Sequence, residues 1–263
     1  MRLSPFALVD RWLSPAPDPR KVAWIAGTTF AHRGLHGGAV PENSPIAFAD
    51  AILRGFGIEC DIQRSADGQA MVFHDWELDR MTAETGPVVR RTAAQLSDIR
   101  LAGTSSRMIS LHGLLEQVSG QVPLLIEVKS KKDMHIAPVC LAVLRALEGY
   151  RGPHAVMSFD PRISRWFSKH SPSTVRGLVV TEDGARALPG KIRRRLAFWH
   201  GRPDFLAWDI RDLPSGLPAA QRRRGLPVTT WTVRTPELAA RAALHADAPI
   251  AEGAGIGEGA GVA

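Results

Sequence analysis

The segment GIECDIQ, residues 57–63, carries the pattern that decides the fold. Successive side chains of a β-strand point to opposite faces, so the carboxylates of Glu59 and Asp61 share one face and the apolar side chains between them share the other. The apolar set is suited to packing against helices. The carboxylates then face the open mouth of a barrel, where polar groups at strand ends are expected.

A second segment, IEVK at residues 126–129, has the same alternation. Glu127 and Lys129 stand two residues apart and share a face. Each acidic residue taken alone is explained as well by an ordinary ion pair, either Glu127 with Lys129 or Asp61 with Arg64. The same pattern on two strands favours one shared polar site.

Strand-like and helix-like segments alternate along most of the chain, which predicts a parallel sheet. The predicted fold class is therefore α/β. At 263 residues, such a sheet usually closes into a TIM (β/α)₈ barrel. Helices are expected between the strands, including 45–54 and 136–147. The predicted strands are 28–33, 57–63, 69–74, 122–129, 155–159, 175–180, 205–209 and 228–233.

The domain organisation follows from where this alternation starts and stops. One domain is predicted over residues 23–252, with a polar insertion at about 77–112 after the third strand. Residues 1–22 are rich in proline and charge and are expected to be an irregular lead-in. Residues 253–263 are almost entirely glycine and alanine, a composition that predicts a flexible tail.

The composition indicates which cellular compartment and which binding partners to expect. Two scattered cysteines, Cys60 and Cys140, favour a reducing compartment over a disulfide framework. No secretory signal or long apolar run is visible, so a cytoplasmic protein is expected. The net charge of +7 favours anionic partners, including the surface of an anionic membrane. The basic runs lack interleaved aromatic residues, so no specific nucleic acid is expected. The oligomeric state stays open.

The carboxylates predict a metal site. Two carboxylates about 6–7 Å apart repel by roughly 2–3 kcal/mol at an effective dielectric constant near 20. A divalent cation converts that repulsion into coordination, and oxygen ligands favour Mg²⁺ or Ca²⁺. Glu59, Asp61 and Glu127 are therefore the candidate ligands.

Two histidines close predicted strands, His32 before Arg33 and His74 before Asp75. Because imidazole titrates near neutral pH, a pair beside a phosphate can serve as general base and general acid. The planar guanidinium of Arg33 suits phosphate oxygens. No glycine-rich nucleotide loop is present, which argues against a kinase or a dehydrogenase.

An ordered set of motifs resembles the glycerophosphodiester phosphodiesterase family, within the superfamily of phosphatidylinositol-phosphodiesterase-like TIM barrels. The motifs extend over about residues 29–235. They are AHRG at 31–34, PENS at 41–44, ECDIQ at 59–63, VFHD at 72–75, IEVK at 126–129, SF at 158–159 and WTV at 231–233.

This resemblance implies a hydrolase of glycerol and lipid metabolism that converts glycerophosphodiesters into glycerol 3-phosphate and an alcohol. It implies His32 and His74 as the acid–base pair. It implies Arg33 and Lys129 as phosphate contacts. It implies a divalent metal ion held at the positions of Glu59, Asp61 and Glu127, with Glu42 beside them. In this family the neighbouring glycerol hydroxyl is thought to attack phosphorus, giving a cyclic phosphate that water opens.

The sequence departs from the family near its end. Arg234 replaces the usual Asn, and residues 249–252 read PIAE where the family has Thr-Asp followed by Pro. Trp231 is expected to line the mouth of the barrel and to contact the substrate.

Two alternatives to glycerophosphodiester hydrolysis are kept. One is a lysophospholipase D or sphingomyelinase D-like activity on lipid phosphodiesters. The other is a non-catalytic barrel that binds phosphate or nucleic acid. The second alternative leaves the carboxylates and histidines unexplained.

Overall fold

A computed structural model describes residues 6–257 of the 263-residue chain. None of the helices in that range is long and apolar enough to cross a membrane. The strands are β1 (Phe30–His32), β2 (Gly57–Arg64), β3 (Ala70–Val72), β4 (Leu124–Val128), β5 (His154–Ser158), β6 (Val175–Val180), β7 (Phe205–Asp209), β8 (Val228–Val233) and β9 (Ala248–Ala251). The helices are α1 (Ala7–Leu13), α2 (Pro19–Val22), α3 (Pro45–Leu53), α4 (Ala93–Ser97), α5 (Leu111–Val118), α6 (Ala137–Leu147), α7 (Pro161–His170), α8 (Leu188–Gly201), α9 (Gly216–Arg222) and α10 (Pro236–His245).

Eight of the strands form a closed parallel ring. β1 pairs with β2 on one side and with β9 on the other, and the remaining strands follow in the order β4, β5, β6, β7 and β8. Helices connect most of the consecutive strands and cover the outside of the ring. This is a TIM barrel, and it confirms the predicted fold.

One strand assignment from the sequence is wrong, and one strand of the ring was not predicted. Residues 69–74 were predicted as a barrel strand, but β3 lies outside the ring and pairs antiparallel with β2. The tight turn at Asp67-Gly68 explains this, because so short a connection can join only antiparallel strands. The eighth ring strand is instead β9, whose APIA sequence gives a weak strand signal because Pro249 donates no backbone hydrogen bond.

The core has one layer outside the ring and one inside it. Ile58, Cys60 and Ile62 pack outward against the helices, as the alternation in β2 predicts. The inner layer at the amino end contains Phe30 and Phe205, among others, and Val22 and Ile25 from the N-terminal segment pack against it. Glu59 and Asp61 alternate with these outward residues along β2 and therefore lie on its opposite face.

The insertion forms a small lobe with its own apolar core. Its helix α4 begins with a capping box in which Thr92 and Gln95 bond to each other's backbone N–H groups. Side chains of the lobe pack on β3 and the residue that follows it, namely Met71 and Phe73 against Leu78, Val88, Leu96, Ile99, Leu101 and Met108. The lobe extends the barrel next to His74 and ends where α5 begins.

Both chain ends are more ordered than the composition suggests. The lead-in contains α1 and α2 instead of an irregular segment. At the other end, residues 253–255 form a 3₁₀ turn in which Gly255 is buried. A Cβ on Gly255 would lie 2.2 Å from the carbonyl oxygen of Val233, so only glycine fits this approach. Residues 258–263 of the predicted tail lie outside the described residues.

Asp10 joins the lead-in to the barrel. Its buried carboxylate accepts hydrogen bonds from Arg195 at 2.5 and 2.7 Å, from Trp199 at 2.8 Å and from Gln221 at 2.8 Å. Burial acts to raise the pKa of Asp10, but these donors outweigh it and the pKa is lowered. One carboxylate thus satisfies donors from both α8 and α9.

Replacing this carboxylate should destabilise the fold. Asp10→Ala leaves the Arg195 guanidinium without its anionic partner, which should lower the free energy of unfolding by about 3 kcal/mol. Thermal or denaturant unfolding measures this loss. Asp98→Ala is the matched control, because the Asp98 side chain forms an exposed ion pair with Arg107 and its loss should leave the midpoint unchanged. Equal midpoints for the two variants would show that Asp10 does not hold the lead-in.

Candidate active site

A polar cavity of about 360 Å³ opens at the carboxyl end of the ring. Parallel strands end together there, which brings side chains distant in sequence to one place. Most of the predicted site residues line this cavity. Its walls include His32, Arg33, Asp61, His74, Glu127, Lys129, Phe159, Asp209, Arg211, Trp231, Arg234 and Leu238.

Three carboxylates meet at one side of the cavity. Glu59 and Asp61 lie on β2 and Glu127 lies on β4, where it is the direct lateral partner of Asp61. Their nearest oxygens all lie within 4.8 Å of one another, and each residue is at most 8% exposed. The strand alternation predicted this convergence, and the parallel register between β2 and β4 produces it.

The charges of this group are unevenly compensated. Burial, followed by the charges of Asp61 and Glu127, raises the pKa of Glu59 well above its usual value. Burial also raises the pKa of Glu127, against the opposing charge of Lys129. For Asp61, burial is outweighed by Lys129 and Arg33, and the pKa is lowered. Two of the three carboxyl groups, Glu59 and Glu127, are therefore harder to ionise than ordinary glutamates.

The donor set fits a hard divalent cation. All three ligands are carboxylate oxygens, which is the chemistry that Mg²⁺ and Ca²⁺ prefer. The Lys129 ammonium already acts as a cation here, with its Nζ 2.7 Å from Asp61 and 2.6 Å from Glu127. A bound cation would supply the positive charge that Glu59 lacks.

Glu42, the fourth predicted ligand, does not join the group of three. Its carboxylate lies 2.9 Å from the Nη1 of Arg33 and 2.6 Å from the Nη2 of Arg80. These arginines outweigh the effect of burial and lower the pKa of Glu42. In this arrangement Glu42 orients Arg33, and coordination of a metal by Glu42 stays a prediction.

The His-Arg-Gly turn after β1 aims its groups at the carboxylates. Arg33 adopts a left-handed backbone conformation with φ of 56°, and its N–H donates to Glu59 at 3.1 Å. The next residue must be glycine, because a Cβ on Gly34 would lie 2.8 Å from the side chain of Ala47. The Nε of Arg33 lies 3.2 Å from Asp61. The turn thus holds a guanidinium at the edge of the carboxylate group.

Asn43 is a site residue that the sequence pattern did not single out. It directly precedes Ser44, which caps α3. The side-chain amide of Asn43 donates to Asp61 at 2.9 Å, and its carbonyl accepts from the backbone N–H of Asp61 at 3.3 Å. Asn43 therefore fixes the orientation of one carboxylate.

His32 is oriented by a carboxylate from the far end of the chain. Its Nδ1 hydrogen-bonds to Glu252, which follows β9, and Arg234 holds the other oxygen of Glu252 at 2.6 Å. A carboxylate accepts but does not donate, so Nδ1 carries the proton and Nε2 is left with its lone pair. Burial lowers the pKa of His32, against the smaller raising effect of Glu252. His32 is thus held as a neutral base.

Glu252 is the second site residue that the sequence did not identify. Burial alone would raise its pKa, but hydrogen bonds from His32, His36 and Arg234 outweigh this and lower it. The available signal was its place directly after the last strand, where the motif departs from the family pattern. The departures at Arg234 and Glu252 turn out to be in contact with each other.

His74, which lines the same cavity, has a parallel arrangement. Its Nδ1 lies 2.6 Å from the carboxylate of Asp75, and Arg80 from the insertion contacts the same carboxylate. Gln63 donates to the backbone carbonyls of His74 and Asp75. Each predicted catalytic histidine therefore has a carboxylate on Nδ1 and an arginine behind that carboxylate.

The remaining wall combines apolar groups with two cationic ones, Arg211 and Arg234. The rings of Phe159 and Trp231 meet edge to face with centroids 5.3 Å apart, and Leu238 lies beside them. The indole N–H of Trp231 donates to the carbonyl of Ala207 at 3.0 Å, which fixes the ring. Trp208 is fully buried among the outer helices and does not reach the cavity.

Residues 32–250 match the sequence model of the glycerophosphoryl diester phosphodiesterase family. The chain belongs to this family. The match begins at His32 and ends inside β9, so it includes all of the ring strands in part or whole.

A curated relative agrees with this membership, and two solved structures share the fold. A glycerophosphodiester phosphodiesterase of Caldanaerobacter subterraneus is 29% identical over 216 residues, which cover 78% of this chain and 84% of that protein. A phosphodiesterase of Oleispira antarctica, solved with the product sn-glycerol-3-phosphate, has a TM-score of 0.75 at 22% identity and covers 86% and 93% of the two chains. A family member from Thermotoga maritima has a TM-score of 0.69 at 23% identity, with 85% and 94% covered.

Proposed function

We propose that this protein hydrolyses glycerophosphodiesters to glycerol 3-phosphate and an alcohol. The observation that carries the proposal is the placement of two carboxylate-oriented histidines in one cavity with three clustered carboxylates. Family membership supplies the substrate class, and the phosphodiesterase of Oleispira antarctica was solved in complex with the product sn-glycerol-3-phosphate.

We assign the general base to His32. It is the more buried of the two histidines, its pKa is lowered, and its Nε2 is free to accept a proton. In the first step Nε2 takes the proton of the glycerol hydroxyl next to the phosphate, and that oxygen attacks phosphorus to give a cyclic phosphate. Water then opens the cyclic ester, and the net reaction consumes one water molecule.

We assign the general acid to His74. Its Nδ1 is bonded to Asp75, and its ring lines the same cavity as His32. As the bond from phosphorus to the alcohol oxygen breaks, His74 donates a proton to that oxygen. The alcohol therefore leaves neutral.

The phosphate charge is met by cationic groups at the carboxylate side. Arg33 offers a planar fork, and Lys129 offers a point charge. A divalent cation, Mg²⁺ or Ca²⁺, held by Glu59, Asp61 and Glu127 would stabilise charge that develops on the phosphate oxygens. The wall of Phe159, Trp231 and Leu238 would contact the alcohol.

The proposal is tested by release of glycerol 3-phosphate from glycerophosphocholine and glycerophosphoethanolamine. Reactions with Mg²⁺, with Ca²⁺ and with a chelator are compared. Turnover that a chelator abolishes and an added cation restores is expected. Folded protein that releases no glycerol 3-phosphate under any metal contradicts the proposal.

A second activity is favoured by the apolar wall. The exposed ring of Phe159 beside Trp231 could accept the acyl chain of a lysophospholipid. Lysophosphatidylcholine in the same assay separates the two. Release of choline from it, without turnover of glycerophosphocholine, would make the chain a lysophospholipase D.

We further propose a cytoplasmic location. Cys60 and Cys140 are both free and buried. Burial raises the pKa of Cys140 to about 12, which keeps this thiol protonated and unreactive. Cell fractionation of the native host tests this location.

Glu252→Gln should change both the rate and the pH profile. The glutamine amide no longer stabilises a proton on Nδ1 of His32, so kcat/KM should fall by about 10²- to 10⁴-fold. Glu252 raises the pKa of His32, so its loss should move the acidic limb of the kcat/KM profile to lower pH. Glu252→Asp should restore part of the rate. An acidic limb that moves to higher pH would contradict this role for Glu252.

A further inference from the structure

The outward faces of α1 and α8 carry apolar side chains that are open to solvent. Leu8 and Trp12 on α1 are 83% and 78% exposed, and α8 contributes three more exposed side chains. Hereafter the α1–α8 surface means Leu8, Trp12, Leu188, Ile192 and Leu196. Contiguous exposed apolar groups of this kind mark interaction sites more often than isolated ones do.

Helix geometry places these side chains on one side of each helix. Leu8 and Trp12 each lie two residues from the buried Asp10, which puts them on the opposite face of α1. On α8, Leu188, Ile192 and Leu196 recur every four residues and form a single stripe, opposite the buried Arg194.

The two faces belong to the same flank of the barrel. Asp10 bonds to Arg195 and Trp199, which lie in the half of α8 nearer its carboxyl end, so α1 packs against that half. The Phe6 ring reinforces this contact by packing under the Arg195 guanidinium and against Trp199. The outward faces of the two helices are therefore neighbours.

The charge next to this surface is positive. Lys191 and Arg193 flank Ile192 on α8, and Arg11 precedes Trp12 on α1. All three are exposed, and none of them forms an ion pair with another described residue. The only acidic residue within α1 and α8 is Asp10, which is buried and neutralised by Arg195.

We propose that the α1–α8 surface docks on an anionic lipid bilayer. Tryptophan and aliphatic side chains bordered by Lys and Arg are suited to the interface of such a bilayer, where apolar burial and attraction to lipid headgroups add. A second copy of this chain fits less well, because a two-fold contact would place the unpaired cations against each other.

The placement of this surface is compatible with catalysis on the membrane-bound protein. α1 sits where α8 ends, shortly before the amino end of β7, whereas the cavity lies at the carboxyl end of the ring. Because the α1–α8 surface lies on the flank of the barrel and not at its carboxyl end, docking through it keeps the cavity open to water-borne substrate. The docking proposal goes beyond the proposed hydrolysis and does not depend on it.

Co-sedimentation with lipid vesicles tests the proposal. The full chain is mixed with vesicles of phosphatidylcholine alone, or of equal parts phosphatidylcholine and phosphatidylglycerol. Binding to the anionic vesicles is expected to exceed binding to the neutral ones at least tenfold and to weaken with added salt. Leu8→Ser/Trp12→Ser and Arg11→Glu/Arg193→Glu should each reduce it at least tenfold.

The matched control is Leu53→Ser/Leu244→Ser, which removes two apolar side chains of similar exposure, 79% and 73%, elsewhere on the barrel. It should bind anionic vesicles like the wild type, and all variants should keep the wild-type melting temperature. The proposal is overturned if the wild type does not bind anionic vesicles, or if the control loses as much binding as Leu8→Ser/Trp12→Ser. It is also overturned if the surface instead mediates a dimer that these substitutions dissociate without any vesicle binding.

Discussion

Glu59→Gln is expected to abolish the metal-dependent activity, with kcat/KM reduced by about 10³-fold. Metal ions contribute several kcal/mol to the stabilisation of transition-state charge, and about 4 kcal/mol corresponds to this factor. The amide keeps the size of the side chain but supplies a neutral ligand to a group that includes Asp61 and Glu127. Release of glycerol 3-phosphate in the presence of Mg²⁺ or Ca²⁺ measures the loss.

A second measurement separates loss of metal from loss of fold. Glu59 is buried beside two other carboxylates, so Glu59→Gln removes repulsion and should not lower the melting temperature of the metal-free protein. Added metal should raise the melting temperature of the wild type and not that of the variant. Glu116→Gln, at an exposed position on α5, is the control and should behave as the wild type. A Glu59→Gln variant that still gains stability from metal would place the cation elsewhere.

His32→Ala and His74→Ala are each expected to lower kcat by about 10²- to 10⁴-fold, the usual contribution of a general base or acid. The two variants should differ in their response to the leaving group. A glycerophosphodiester of p-nitrophenol releases an alcohol that needs no proton, so His74→Ala should recover most of its rate on it. His32→Ala should remain slow, because its proton transfer precedes attack on phosphorus.

The assay follows p-nitrophenolate and glycerol 3-phosphate in parallel. His112→Ala is the control, because His112 is exposed on α5 and remote from the cavity. Equal recovery by both catalytic variants would remove the distinction between base and acid. Recovery by His32→Ala alone would reverse the assignment.

Local patterns were sufficient to predict the carboxylate side of the site. Glu59, Asp61, Glu127 and Lys129 share faces of two strands, and a two-residue period is visible in any single strand. The histidines were visible for a similar reason, since His32 ends β1 and His74 comes shortly after β3. The barrel itself followed from the alternation of strands and helices.

Contacts made by closure of the ring could not be predicted in this way. Glu252 and His32 are 220 residues apart in sequence and meet only because β9 pairs with β1. β9 was missed because its proline and alanines carry little strand preference, and residues 69–74 were assigned to the ring in its place. Asn43 was likewise hidden, because its partner Asp61 is fixed by tertiary structure and not by spacing.

The position of β9 also bears on how the protein is made. The ring strand that pairs with β1 is among the last parts of the described chain to leave the ribosome, and Glu252 follows it directly. A nascent polypeptide that has emerged only as far as β8 has an open sheet edge and a His32 without its carboxylate. The pairing of β9 with β1 therefore has to form before His32 gains the carboxylate that orients it.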